Sequence, residues 1–536
     1  MQITGVEAGM TYSIDDTWML PESVSCETLL AALGETFTLS EGPEYEATVI
    51  YADTFDWRLY RQDCLLHRHG ASWTLYHGEG GEVTVQQGGP EHPLPCFAAD
   101  FPAGRLRETL EPILGIRCLL PVATLHLEGR QVRLLNEDEK TVVRLVCETQ
   151  RPLGGLGDAG TTQPSSGEAL PFPLIRVFPV RGYDKELARV QEILSENGVS
   201  RDVSPLIGFE AGCRLMGREP LDYSSKLRLQ LDRDQSAGQV MTTIHLELFA
   251  TMRRNLPGVI ADWDIEFLHD FRVAVRRVRS GLSLVGKVFP GSMTARFKKD
   301  MASLGRLTGT TRDLDVYLLE RAAYFDRLAP ALVPGLTPFF DDLARQRAAA
   351  QRELVRALKG KKVQSILTHW EKVLRRDDAP TGPWADRPVL DVAGRVIWRR
   401  YDKVVRAGQS IQATTPDVEV HALRIECKKL RYAMEFFASL YPEEAMRTLT
   451  RHLKKLQDIL GVFNDLYVQQ TMLHQAVRTQ RAASPESAAA LGGLMQSLFQ
   501  EQEELRLHFG EAFAEFSDPE ATELFQQLFS PRKEPA

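Results

Sequence analysis

At 536 residues, with 43% hydrophobic and 25% charged side chains, the chain has material for two to four domains. That composition favours neither disorder nor a membrane class, and no run approaches the roughly 18 apolar residues of a spanning helix. The net charge of −8 is unevenly spread: residues 1–200 hold 15 Lys+Arg against 29 Asp+Glu (−14), and the remainder 49 against 43 (+6), which implies two modules with different electrostatic roles.

In chain order, Met1–Met10 lacks a basic segment followed by an apolar one, so no leader is expected and a cytoplasmic protein is. Residues 1–200 read as mixed α/β. β-rich runs fall at Ala47–Tyr51, Ser72–His77, Glu82–Gln86, Val122–Leu127, Gln131–Leu135, Thr141–Val146 and Leu174–Val180. Helical periods lie between them at Cys26–Leu33, Leu106–Leu114 and Lys185–Glu196. The Gly/Pro/Ser/Thr-rich stretch Pro152–Pro171 reads as a loop. Many strands and few helices predict one curved or closed antiparallel sheet. The seven cysteines (Cys26, Cys64, Cys96, Cys118, Cys147, Cys213, Cys427) are scattered and never form CxxC, which suits a reducing compartment and offers no metal cluster.

Residues 201–225 are expected to be a connector, and 226–520 an all-α bundle whose halves cover about 226–375 and 385–520. Helical spacing marks Ala237–Asn255, Glu266–Val288, Met293–Leu304, Leu314–Leu328, Phe339–Lys359, Val363–Leu374, Leu390–Ala407, Val418–Ser439, Ala445–Leu460, Leu466–Gln480 and Ala488–Phe516. The fold class is therefore α+β: a sheet module, then a duplicated helical bundle with pseudo-twofold symmetry.

One signature occurs twice in the helical part. His269, Arg272, Val273, Arg276, Arg277, Val278 and Arg279 match His421, Arg424, Ile425, Lys428, Lys429, Leu430 and Arg431 position for position. Downstream, Leu304–Leu314 and Leu456–Leu466 match at the same offset, with Gly309 answering Gly461 and Asp313 answering Asp465. At about 100° per residue, positions 0, +3, +7 and +10 share a wedge of roughly 80°. His269, Arg272, Arg276 and Arg279 thus form one stripe, and His421, Arg424, Lys428 and Arg431 its counterpart. Like charges at i,i+3 and i,i+4 each cost a helix a few tenths of a kcal/mol. A single basic stripe is usually a solvated face. A matched pair points to an anionic ligand, for which arginine offers bidentate forks and lysine a point charge.

The doubled H-x-x-R-x-x-x-[RK]-[RK]-x-R helix, each copy followed by a Gly-x-x-[RN]-Asp turn, resembles the CHAD domain over roughly Lys226 to Phe516. That resemblance implies two four-helix-type bundles about a pseudo-twofold axis, with a basic groove for inorganic polyphosphate. The stripe residues would line it, joined by Arg277, Lys429, Lys298, Lys299, Arg306, Arg312, Lys454 and Lys455. Asp313 and Asp465 would cap or orient the turn, and Asn464 in place of Arg312 makes the halves unequal.

Tyr51-Ala52-Asp53-Thr54, Arg58-Leu59, Leu65–His69 and Trp73-Thr74-Leu75 resemble segments of the CYTH, or triphosphate tunnel, domain, over residues 10–197. The family's E-x-E-x-K strand is replaced by Ser13–Thr17, its arginines by His67 and His69, and its late acidic strand by Leu174–Phe178, which holds no carboxylate pair. A degenerate tunnel-like module without hydrolysis is therefore expected, with no catalytic residues, metal or cofactor. The competing expectation is a metal site of Asp15, Glu46, Asp53 and Glu148.

The leading functional expectation is non-catalytic binding of inorganic polyphosphate, in association with polyphosphate granules. Its rivals are an inorganic triphosphatase or polyphosphatase working through the sheet module, and a nucleic-acid or protein scaffold. Nucleic acid is disfavoured because the helical aromatics read as core, and no membrane partner is expected.

Overall fold

The computed structural model describes residues 17–21, 23–77, 82–90, 94–154, 171–201, 206–376, 381–412, 414–478 and 484–530. The chain divides into two compact units, Met1–Ser225 and Lys226–Ala536.

The first unit is an eight-stranded antiparallel sheet in the order β1-β8-β7-β6-β2-β3-β4-β5, with β1 and β5 at its edges. The strands are β1 Thr17–Met19, β2 Thr38–Asp53, β3 Cys64–His69, β4 Ser72–His77, β5 Glu82–Gly88, β6 Leu120–Leu135, β7 Thr141–Pro152 and β8 Phe172–Pro179. The helices α1 Cys26–Gly34, α2 Arg105–Leu114 and α3 Asp184–Glu196 fall where apolar periodicity places them. Two runs expected to be separate, Val122–Leu127 and Gln131–Leu135, form one strand. β6 pairs with β2 and β7 through Gly129, opposite Tyr45 and Glu148, so the ladder has no reason to break there. The short β1 and the polar-rich β3 have too few apolar alternations to stand out in sequence. Of the loop expected over Pro152–Pro171, residues 155–170 lie outside the described residues, as does Asp15.

The expected connector holds a helix, α4 Ile207–Leu215, which packs on β6 and β7. Phe209, Ala211 and Cys213 are buried in that contact. A Cβ on Gly212 would sit 2.8 Å from the Cβ of Ala123, so only glycine permits the approach. Residues up to Ser225 therefore belong to the sheet unit, and the break falls at Lys226.

The second unit is helical: α5 Ala237–Ala261, α6 Ile265–Leu284, α7 Gly291–Leu307, α8 Gly309–Leu319, α9 Arg321–Asp326, α10 Val333–Lys359, α11 Lys361–Leu374, α12 Val389–Gln409, α13 Asp417–Phe436, α14 Glu443–Arg478, α15 Pro485–Phe516 and α16 Pro519–Phe529. Four helix starts recur at one interval of 152 residues: α5/α12 (389 − 237), α6/α13 (417 − 265), α7/α14 (443 − 291) and α10/α15 (485 − 333). Three of these pairs, α5/α12, α6/α13 and α10/α15, also pack on each other. Ala237 N–H donates to Arg387 C=O and Val389 N–H to Gln235 C=O, both at short range (2.8 and 3.1 Å). These two bonds exchange under the same 152-residue shift.

Each half departs from that register where its sequence does. Thr308 interrupts α7 and α8, its Oγ1 donating to the Leu304 carbonyl at 2.9 Å. The counterpart α14 runs unbroken past Gly461, because Leu460, Phe463 and Leu466 bury its apolar face, outweighing the ~1 kcal/mol helical cost of glycine. The segment expected as Leu314–Leu328 is split into α8 and α9, and the bundle extends past residue 520 through α16, capped by Asp518 and packed on α12. Among the described residues no helix is long and apolar enough to cross a membrane.

Candidate functional site: a cationic cleft between two helices

The stripe on α6 is solvent-facing because the opposite face is core. Phe267, Phe271, Ala274, Val275, Val278 and Leu282 are all buried, at positions roughly 80–180° from the centre of the basic wedge. Asp264 starts the helix by accepting from the N–H groups of Glu266 (2.9 Å) and Phe267 (3.3 Å). On α13 the buried set is Val420, Leu423, Cys427, Leu430 and Met434, leaving the equivalent face for its own stripe.

Arg272, Arg276 and Arg279 of α6 line a cleft of about 230 Å³ with Ala302, Gly305 and Arg306 of α7. Arg272 Nη1 is fixed by the Gly305 carbonyl (3.0 Å) and Thr308 Oγ1 (2.9 Å). A Cβ at Gly305 would stand 3.5 Å from Arg279 Nη1, so a longer side chain there would fill the cleft floor. In the second half that position is Gln457, whose amide donates to the Cys427 carbonyl at 2.7 Å.

α13 packs on α6, which brings part of its stripe within electrostatic reach of Arg276. Burial, reinforced by Arg424 and Arg276, pushes the Lys428 ammonium down to about 8. Burial also lowers Arg424, with Asp465 opposing and Arg276 adding to the shift. Arg272 is lowered by burial, against Asp313, with Arg276 and Arg312 contributing. One residue of the first half, Arg276, therefore presses electrostatically on cations of both halves. The Nε atoms of Arg272, Arg276, Arg424 and Arg431 are buried and have no acceptor among the described residues, which adds to the desolvation of these cations.

Other expected site residues lie outside this group. Position +8 of the signature falls about 80° beyond the wedge, and both of its occupants are engaged elsewhere. Arg277 is buried against Glu435 (3.1 Å), and Lys429 pairs with Glu426 (2.6 Å), which Arg400 also holds (2.9 Å). Lys455 pairs with Glu515 of α15. Lys299 and Lys454 are exposed, and Lys298 lines a second hollow farther along α7. Arg312 packs behind the cleft, 3.4 Å from the Ile265 carbonyl and 4.0 Å from Glu266. His421 Nδ1 is bonded to Asn464 Oδ1, which orients the helix start, and His269 is half-buried at the matching point. The sequence reading missed Ala302, Gly305 and Thr308, which carry no charge. Their only signal is their mutual i,i+3 spacing around Arg306.

In the sheet unit the expected carboxylates are separated. Asp53 accepts from the N–H groups of Thr54 (2.6 Å), Leu59 (3.0 Å) and Tyr60 (2.9 Å), binding the turn after β2. Glu148 takes the Tyr45 hydroxyl (2.7 Å), the Gln150 amide (2.7 Å) and Arg176 (3.0 Å). Glu46 lies 3.3 Å from His126.

Fold and cleft define a helical domain of paired cationic stripes. Residues 243–474 match the family model of the CHAD domain, and the chain carries that domain there. The CHAD family is associated in general with polyphosphate binding. The chain is similar to an uncharacterized protein of Mycobacterium tuberculosis, MT2285, at 23% identity over 219 residues, spanning 40% of this chain and 41% of the relative. Among solved structures it is similar to the CHAD domain from the plant Ricinus communis, at 24% identity and TM-score 0.45, covering 55% of this chain and 96% of that one. PptA from Streptomyces chartreusis is similar at 18% identity and TM-score 0.43, covering 52% and 99%.

Proposed function

We propose that the helical unit binds inorganic polyphosphate between the α6 and α13 stripes, as a holding protein without hydrolysis, and that it works at polyphosphate granules. The observation that carries this reading is the cleft lined by Arg272, Arg276, Arg279 and Arg306, with α13 packed on α6 and its Arg424 and Lys428 within electrostatic reach of Arg276. A linear anion with closely spaced phosphoryl oxygens supplies acceptors at the interval of successive helical turns, and relieves the like-charge cost in both halves at once. No aromatic side chain lines the cleft, so a polymer whose bases must stack gains nothing there, which favours a plain polyanion over nucleic acid.

The test is calorimetric titration of the full chain with polyphosphate. Binding should weaken as salt rises, because each neutralised phosphate releases counterions. The double variant Arg276→Glu/Lys428→Glu should abolish binding while helicity is retained. Unchanged affinity would remove the cleft from the mechanism. RNA displacing polyphosphate at equal charge would favour a nucleic-acid scaffold instead.

A further inference from the structure

The cleft is one end of a longer furrow. α6 and α7 run antiparallel, joined by residues 285–290. A second hollow, of about 420 Å³, lies along the same seam, lined on α6 and its extension by Ser283 and Lys287, on α7 by Thr294 and Lys298, and from the second half by Trp384 and Arg399. The two hollows abut. Arg279 and Ala302 line the first, and Ser283 and Lys298, one turn further on each helix, line the second. Lys287 stands just past the end of α6, in the segment joining it to α7, and lines the second hollow from there. From Arg306 to Gly291 the seam is about 22 Å long at 1.5 Å per residue.

The furrow's charge is uniform. No carboxylate lines either hollow, and Lys287, Lys298 and Arg399 form no ion pair among the described residues. Lys287 is held over the Trp384 ring, 5.0 Å from its centroid, which positions the ammonium without neutralising it. The equivalent seam of the second half differs. Under the 152-residue shift Ser283 becomes Glu435, Lys287 becomes Ser439, Lys298 becomes Thr450 and Arg306 becomes Asp458. Two carboxylates replace a hydroxyl and a cation, while Ala302 becomes Lys454 and Ala295 becomes Arg447, so that seam is mixed in charge where the first is uniformly cationic.

We propose that a polyphosphate chain held in the central cleft leaves along the α6–α7 seam alone, its next phosphoryl groups bound by Lys298, Lys287 and Arg399. The site is thereby one-sided and selects for chain length. This inference rests on the polyphosphate reading and adds a direction to it. A short oligophosphate occupies the cleft only, and a long chain occupies cleft and furrow.

The experiment uses the full chain and the variant Lys287→Glu/Arg399→Glu, titrated with tripolyphosphate and with long-chain polyphosphate at several salt concentrations. Both side chains are exposed, so circular dichroism and the melting curve should be unchanged. Tripolyphosphate affinity should stay as in the parent. Long-chain affinity should fall about tenfold, and its salt slope should shrink by about 1.4, taking about 0.7 per lost phosphate contact on a single-stranded polyanion. Unchanged long-chain affinity, with Arg276→Glu/Lys428→Glu still abolishing binding, overturns the furrow and leaves the cleft standing. Equal weakening for short and long chains also overturns it. A parent protein that binds neither probe overturns the polyphosphate reading, and the furrow with it.

Discussion

The two helical halves share a signature but not an electrostatic balance. In the first, Arg272 is hydrogen-bonded to neutral groups, the Gly305 carbonyl and Thr308 hydroxyl, with Asp313 acting on it electrostatically but forming no ion pair with it among the described residues. In the second, the equivalent Arg424 is bound to the Asp465 carboxylate at 3.2 Å, and Arg431 stands 3.5 Å from Glu435. Glycine at 305 opens the first cleft where Gln457 fills the second. The halves thus present the same stripe with unequal free charge, and a repeat in sequence does not make two equal subsites.

The sharpest way to break this comparison is to reverse single equivalent charges. Arg276→Glu, at the point where cations of both halves meet, should weaken polyphosphate binding by about 100-fold, whereas Lys428→Glu should cost about tenfold. Equal losses in titrations of the two variants would make the halves equivalent after all. Stability gives the next largest effect. Arg277 is 11% exposed in its side chain and ties α6 to Glu435 of α13. Arg277→Ala strands that carboxylate and should destabilise the helical unit by about 2 kcal/mol, less than a fully buried pair because Glu435 is partly solvated and keeps Arg431 nearby. Denaturant midpoints measure it, and an unchanged midpoint would dismiss the pair as a tie between halves.

What could be read in advance follows from what repeats. The α+β order, the helix positions and the paired stripes were legible because apolar periodicity and the doubled signature are local. The neutral cleft floor was not, because Gly305, Ala302 and Thr308 gain their role only when α7 folds back on α6. The role of the +8 position was only half hidden: Arg277 looks like a stripe member until Glu435 arrives from α13, whereas Lys429 has Glu426 three residues before it on the same helix. In the sheet unit the YxDT-like segment was visible, but Asp53's work in tying down a turn depends on three N–H groups that only the folded turn aims at it.

Asp53 and Lys428 shift in opposite senses of charge, and both make stability rise or fall in a predictable window. Burial lifts the Asp53 carboxyl to about 6 against the pull of its three N–H donors. The folded state then holds its proton more tightly than the unfolded one between about 4 and 6, so this group's contribution to stability falls as pH rises through that window. Lys428 is depressed to about 8, so between about 8 and 10.5 the unfolded state binds more protons, and stability rises with pH there. Polyphosphate should restore the Lys428 proton. Calorimetry in buffers of different ionisation heat should therefore show proton uptake near pH 9, and affinity falling by up to about tenfold per pH unit above 8. Lys428→Arg should erase the uptake, and uptake that survives in that variant would remove Lys428 from the cleft.

The smallest effect discriminates most finely between the halves. If Arg424 is held back by its carboxylate, releasing it should strengthen binding. Asp465→Asn keeps shape and hydrogen bonding but removes the charge, and affinity should rise about threefold, in line with the fraction of a kcal/mol that an exposed ion pair is worth. The first-half counterpart Asp313 makes no ion pair of comparable geometry with Arg272, which is fixed by the Gly305 and Thr308 oxygens instead, so Asp313→Asn should raise affinity less. The same gain from both substitutions would mean that the carboxylates act through the general field of the cleft. A gain confined to Asp465→Asn would locate the imbalance in one hydrogen-bonded pair.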